Sequence, residues 1–183
     1  MLAQLQRRPS WTQQAMICLA FVALSAAIPT GVSAQDQEPS AVADVMKRVV
    51  FDPTTYAPAV ISYYATMRDW QTSQPFFERG ATEMNARFTV SGRPNDTPVS
   101  YGDGNRRILR DALINLQVSA VTNVADQIVE RMLVERYPNH RKLIRVLGWA
   151  QRISLSSYLS YRLSIQHFRQ TQLNEQLAKQ YGF

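Results

Sequence analysis

The chain has 183 residues, 45% of them hydrophobic, with 20 Lys and Arg against 14 Asp and Glu. That length allows about one domain, which excludes a multi-domain machine. The hydrophobic fraction excludes a disordered polyelectrolyte, and a single cysteine, Cys18, excludes a disulfide scaffold.

Residues 1–34 read as a signal peptide. Arg7 and Arg8 form a positive n-region, AMICLAFVALSAAI an apolar h-region, and Val32-Ser33-Ala34 the small residues before a cleavage point at Gln35. The alternative is retention as an anchor, because the apolar stretch is nearly long enough to span a bilayer. Pro29 and Gly31 favour cleavage. An exported chain, periplasmic or associated with the cell envelope, is therefore expected. Its mature part carries 18 basic and 14 acidic residues and no thiol, so thiol catalysis and cysteine-ligated metals are not expected.

Residues 35–39 (QDQEP) form a polar leader, and residues 40–170 the expected helical domain. Ser40 can cap a short helix over Ala41–Val50, with Val42, Val45, Met46 and Val49 on one face. Phe51-Asp52-Pro53 breaks it. The next helix starts near Pro58 and runs to about Gln74, where Pro75 ends or kinks it. Val60, Ile61, Tyr64 and Met67 make one stripe, and Tyr63, Thr66 and Trp70 a second. Ser62, Thr66, Asp69, Thr72 and Ser73 make a hydroxylic, acidic side. Gly80 terminates a short continuation over Phe76–Arg79.

Residues 91–105 (SGRPNDTPVSYGDGN) read as a loop rich in turn formers, and Arg87–Ser91 can pair only locally. Asn105–Arg136 is a long amphipathic helix. Leu109, Leu113, Leu116, Val124 and Ile128 lie on its apolar side, while Asn115, Asn123, Asp126, Gln127 and Glu130 lie on the other. The pattern predicts that the apolar side rests on a core. After a turn at Tyr137–His140, a last helix over about His140–Gln170 carries Leu143, Leu147, Ala150, Tyr158 and Tyr161. Ser156, Ser160 and Ser164 form a small-residue groove on it. That groove also suits membrane helices, but Arg145, Arg152 and Arg162 argue against lipid. Residues 171–183 form a polar tail, helical in part. The fold expected is all-α: a small bundle built on two long antiparallel helices.

No phosphate-binding glycine loop, zinc-protease helix or nucleophile elbow occurs. Gly102–Asn105 reads as a turn leading into a cap. His140 is expected to be exposed, and His167 packed or capping. The acidic corner is richer in chemistry. Asp69 and Thr72 share a helix face, and Glu78 and Glu83 follow around Gly80. Such carboxylates suit a hard cation or acid–base work. The alternative is that they bond hydroxyls and free N–H groups and fix the corner.

The run DWQTSQPFFERGATEMN resembles a pattern in small uncharacterised bacterial helical proteins: Asp, then Thr or Ser, then Gly-Ala-x-Glu-x-Asn-Pro. The correspondence falls on Asp69, Thr72 or Ser73, Gly80, Ala81, Glu83 and Asn85, with a late histidine at His167. The chain departs at Ala86, where the pattern has proline, and its later helices are more charged than those of membrane-embedded proteins bearing the pattern. The resemblance implies a polar corner and no particular reaction.

Arg136, Arg141, Lys142 and Arg145 form a basic group at the turn between the long helices, and Arg106, Arg107 and Arg110 a second at the far end. The separation and the lack of interleaved aromatics exclude a single nucleic-acid groove. Anionic headgroups, envelope polymers or an envelope protein are the expected partners, with no transmembrane span in the mature chain. The function expected is a non-enzymatic binding or structural module without cofactor or catalytic residues. The alternative is a metal-binding or carboxylate-based enzyme at Asp69, Glu78 and Glu83.

Overall fold

Every regular element among residues 41–182, the residues that the computed structural model describes, is helical. The signal peptide, the polar leader, the Ser40 cap and Cys18 lie outside the described residues. Helix α1 spans Ala41–Phe51. Asp52 stops it: its Oδ1 accepts from the Thr54 N–H at 3.0 Å and the Thr54 hydroxyl at 2.7 Å, opening a 3-10 turn over Pro53–Thr55.

Helix α2 spans Ala57–Phe77 and runs on through Pro75, past the end expected near Gln74. Side chains add partners for the carbonyls one turn earlier. The Thr72 and Ser73 hydroxyls donate to the Asp69 carbonyl at 3.0 and 2.9 Å, and the Gln74 amide donates to that of Trp70 at 2.8 Å. The chain turns at Gly80, whose φ of +88° favours glycine.

Two isolated antiparallel bridges, Glu83–Asp96 and Thr89–Pro98, hold the following segment as a local hairpin. Among the described residues no strand forms. Helix α3 spans Tyr101–Arg136, so Gly102–Asn105 lies in its first turn rather than in the loop. Ser100 is the cap: its oxygen accepts from the Asp103 N–H at 3.1 Å. A 3-10 turn at Pro138–His140 leads to helix α4, Arg141–Tyr181, which takes in most of the expected tail.

Cross-helix bonds set the arrangement. Ser62 meets Asn115, and Thr54 and Thr55 meet Asn123, so α2 runs antiparallel to α3. Asp52 meets Arg152, Asp69 meets His167, and Ser73 meets Asn174, so α2 runs parallel to α4. The two long helices form an antiparallel hairpin, with α2 packed against both.

A small apolar core sits at one end, where Trp70, Phe88, Val99 and Ile108 pack with Met67 and Phe77. Elsewhere the expected inward faces are reversed only in part. Leu116, Val124 and Ile128 are half-buried, but Leu109 and Leu113 are 52% and 51% exposed, while Ser119 and Asn123 are 4% and 5% exposed. On α4 the buried stripe is Arg152, Ser156, Ser160, Ser164, Thr171 and Asn174, and Leu143, Leu147, Tyr158 and Tyr161 face outward. On α1, Val45 and Val49 are buried as expected, but Val42 and Met46 are not. The physical reason is that Asn123 and Arg152 bond across the helix pairs, which satisfies them without water, that the Ser160 and Ser164 hydroxyls bond carbonyls of their own helix, and that small Ser side chains let the backbones approach. Among the described residues, no single helix is long and apolar enough to cross a membrane.

Candidate functional site

Asp69 sits one turn before the Thr72–Ser73 pair on α2, on the side facing α4. His167 faces it from α4, with Nδ1 2.8 Å from Asp69 Oδ2. The pair is partly screened, at 17% side-chain exposure for Asp69 and 26% for His167. A carboxylate on Nδ1 fixes the ring's orientation and leaves Nε2 as the other nitrogen able to exchange a proton. Two turns further along α4, the Asn174 amide donates to Ser73 Oγ at 2.9 Å and Thr72 Oγ1 at 3.2 Å. Its own oxygen accepts from Gln170 at 2.9 Å. Thr72 is therefore a packing hydroxyl that ties α2 to α4.

Glu83 arrives from the turn after Gly80. Its main chain exchanges bonds with Asp96, at 2.9 and 3.3 Å. Its Oε1 accepts from the Asn85 N–H at 2.6 Å, and Asn85 Oδ1 accepts from the Arg87 N–H at 3.1 Å. Burial pushes the Glu83 carboxyl above its ordinary range. The Asn85 N–H opposes that shift, and the nearby Asp69 charge adds to it. A carboxyl perturbed this way in a cleft is a common mark of a working site, though structural networks produce it too.

Asp69, Glu83, Asn85 and His167 line one open cleft of about 380 Å³, floored by Trp70 and Phe88. The rings of these two stack at 5.3 Å. Glu78 does not line the cleft and is exposed, so the expected three-carboxylate corner is two carboxylates and an imidazole. Among the described residues no group of three or more His, Cys, Asp or Glu is placed to hold a metal ion. The cleft presents hydrogen-bonding groups to a small polar molecule.

Gln170 and Asn174 were not singled out in the sequence. Their signal is the 3- and 4-residue continuation of the His167 face. A second omission is larger. Arg152 is 6% exposed, with Nε 3.1 Å from Asp52 Oδ2 and Nη1 2.8 Å from Glu130 Oε2. It is a buried cross-link between α4, α3 and the turn that follows α1, not a charge displayed on the surface. Gly148 makes room for it, since a Cβ there would lie 2.5 Å from Glu130 Oε2.

Arg136, Arg141, Lys142 and Arg145 are all exposed at the hairpin end, as is His140. The Arg136 guanidinium lies 5.9 Å from the Tyr137 ring centre. Arg141 and Arg145 border a recess of about 220 Å³ that also holds Asp44, Glu130 and Glu135, so that part of the patch is mixed in sign. Compared with protein families, with curated proteins and with solved structures, the chain matches none.

Proposed function

We propose that this protein is a non-enzymatic structural or binding module of the cell envelope, exported by its leader and working through its outer apolar surface. One observation carries the reading. The helices place polar residues against one another and leave large apolar residues, such as Val60, Leu113, Val118, Val146 and Trp149, on the outside. A solitary protein in water seldom exposes apolar surface on this scale, and where one does, the surface meets a partner or a lipid phase. The test is fractionation of cells making the full chain. Mature protein starting at Gln35 is expected in the envelope, and its apolar face should be covered. Recovery as a monodisperse monomer in plain buffer, with a cooperative unfolding transition, would overturn the reading.

A second reading rests on the cleft. The His167–Asp69 pair and the raised Glu83 suit a small polar ligand, or acid–base chemistry on one. Native mass spectrometry and metal analysis of the purified chain test it. A bound species or metal that His167→Ala abolishes would support it, and empty protein in both measurements would end it.

A further inference from the structure

We propose that the outer face of this bundle is covered by the hydrocarbon of a lipid bilayer, and that the arginines at its two edges lie at the headgroups. The proposal deepens the reading of a covered apolar surface and names the cover.

The argument starts from where the charges go. Between Arg110 and Arg131 on α3, the exposed residues are Leu113, Ile114, Gln117, Val118, Ala125 and Val129, none of them charged. Between Arg145 and Arg162 on α4, they are Val146, Leu147, Trp149, Ala150, Gln151, Ser154, Ser157, Tyr158 and Tyr161. Between Arg48 and Arg68, across α1 and α2, every exposed side chain is again uncharged. Charged residues do occur within these limits, but each has a partner. Arg152 pairs with both Asp52 and Glu130, and Asp111 pairs with Arg87 at the edge. Asp126 accepts from Gln151, and burial holds its carboxyl above the ordinary range. Glu130 and Arg152 are buried, and Asp52, Asp111 and Asp126 are half-buried with partners, so within these limits no charged side chain is left exposed, as a surface meeting hydrocarbon requires.

The limits on the three helices coincide. The Ser62–Asn115 and Asp69–His167 contacts put Arg68, Arg110 and Arg162 within about one turn of the same level. The Arg152–Glu130 contact and the recess that Arg48, Arg131 and Arg145 share set the other edge. The span from Arg110 to Arg131 is about 31 Å at 1.5 Å per residue. A bilayer's hydrocarbon is about 30 Å thick. Aromatic residues gather at the edges, as at membrane interfaces: Tyr63 and Tyr64 near Arg68, Tyr158 and Tyr161 near Arg162, Trp149 near Arg145.

The interior fits the same solvent. Hydrocarbon gives helices no hydrophobic reason to associate, so bundles within it rely on small residues and interhelical hydrogen bonds. Ser119, Ser156 and Ser160, with the Asn115 and Asn123 bonds, are that kind of contact. These inward groups lower each helix's mean hydropathy, yet the lipid would meet only the outward side.

The test uses the full chain with Cys18→Ser and one added cysteine at a time, each carrying an environment-sensitive fluorophore. Val118→Cys and Ser154→Cys report on the middle of the band, and Ser91→Cys and Asn139→Cys on either side of it. All four sites are exposed, and unchanged helical circular dichroism checks each fold. The vesicles are phosphatidylcholine with phosphatidylglycerol, brominated in mid-chain. Several-fold stronger quenching by the bromines at 118 and 154 than at 91 and 139 is expected, with the reverse order for aqueous iodide. Iodide access at all four sites, with the chain left in the buffer, overturns this proposal and the covered-surface reading together. A lipid-free oligomer that shields 118 and 154 from both quenchers overturns the bilayer alone, because a second copy is then the cover.

Discussion

Arg152 shows how much a single residue can decide in this interior. Its guanidinium bonds Asp52 through Nε and Glu130 through Nη1, a two-pronged contact that a lysine cannot copy. Replacing a whole buried charge network with apolar groups is often harmless, but removing one partner leaves unpaired charge and costs about 3–5 kcal/mol. Arg152→Met leaves two carboxylates facing a thioether. Chemical unfolding of the folded chain should register a loss of that size, and Arg152→Lys should restore only part of it. A loss within about 0.5 kcal/mol, the usual scale of a surface change, would show that the cross-link does not form. Glu83 is the titratable counterpart. Its carboxyl is raised above the reference value of 4.5, chiefly by burial, so the folded chain holds the proton more tightly than the unfolded one. Stability from this group is therefore greatest below pH 4.5 and falls as pH rises towards the folded pKa. Glu83→Gln keeps an acceptor for the Asn85 N–H and removes the charge. The variant should gain on the parent as pH climbs above about 4.5, when unfolding midpoints are compared at matched pH. Parallel pH curves would contradict the burial of that carboxyl.

At the scale of the helix, the Ser156, Ser160 and Ser164 stripe sets how near α4 comes to its neighbours. The Ser160 hydroxyl donates to the Ser156 carbonyl at 2.7 Å, within its own helix. Ser160→Ala should therefore cost little, since no interhelical bond is lost. Ser160→Leu forces extra volume into a contact built for small residues and should cost about 1–3 kcal/mol, read from the melting transition. If both variants melt alike, the close approach is not there. The helices themselves were legible in the sequence, as was the small-residue groove, because capping residues, prolines and 3.6-residue periodicity are local signals. Their direction was not. A period groups Leu109 with Leu113 and Asn115 with Asn123, but it carries no sign. Turning the leucines inward assumes water outside. Local rules also placed the end of α2 near Gln74, whereas it continues through Pro75 to Phe77. In the cleft, Asp69, Glu83, Asn85 and His167 were all legible, whereas Glu78 was miscast, because one step around the Gly80 corner decides which carboxylate turns in.

Across the whole molecule the two ends do different things. The Trp70–Phe88–Ile108 end has an apolar core and the cleft. It is closed tightly enough that a Cβ on Gly104 would collide with the Trp70 indole. The middle has a polar interior and an apolar exterior, bounded by arginines. Those two halves obey opposite solvation rules, and one substitution separates the rules. In water, Val118→Lys replaces an exposed apolar group with a charge and should change stability by no more than about 0.5 kcal/mol. In hydrocarbon the same lysine sits near mid-band and should cost roughly 2.5–3.5 kcal/mol. Asn139→Lys, in the exposed turn beyond the basic edge, is the matched control and should be neutral in either solvent. Unfolding both variants in phospholipid bicelles, with Val118→Leu beside them, gives the comparison. A penalty confined to Val118→Lys places α3 against acyl chains, whereas equal, small changes at 118 and 139 would return that face to water.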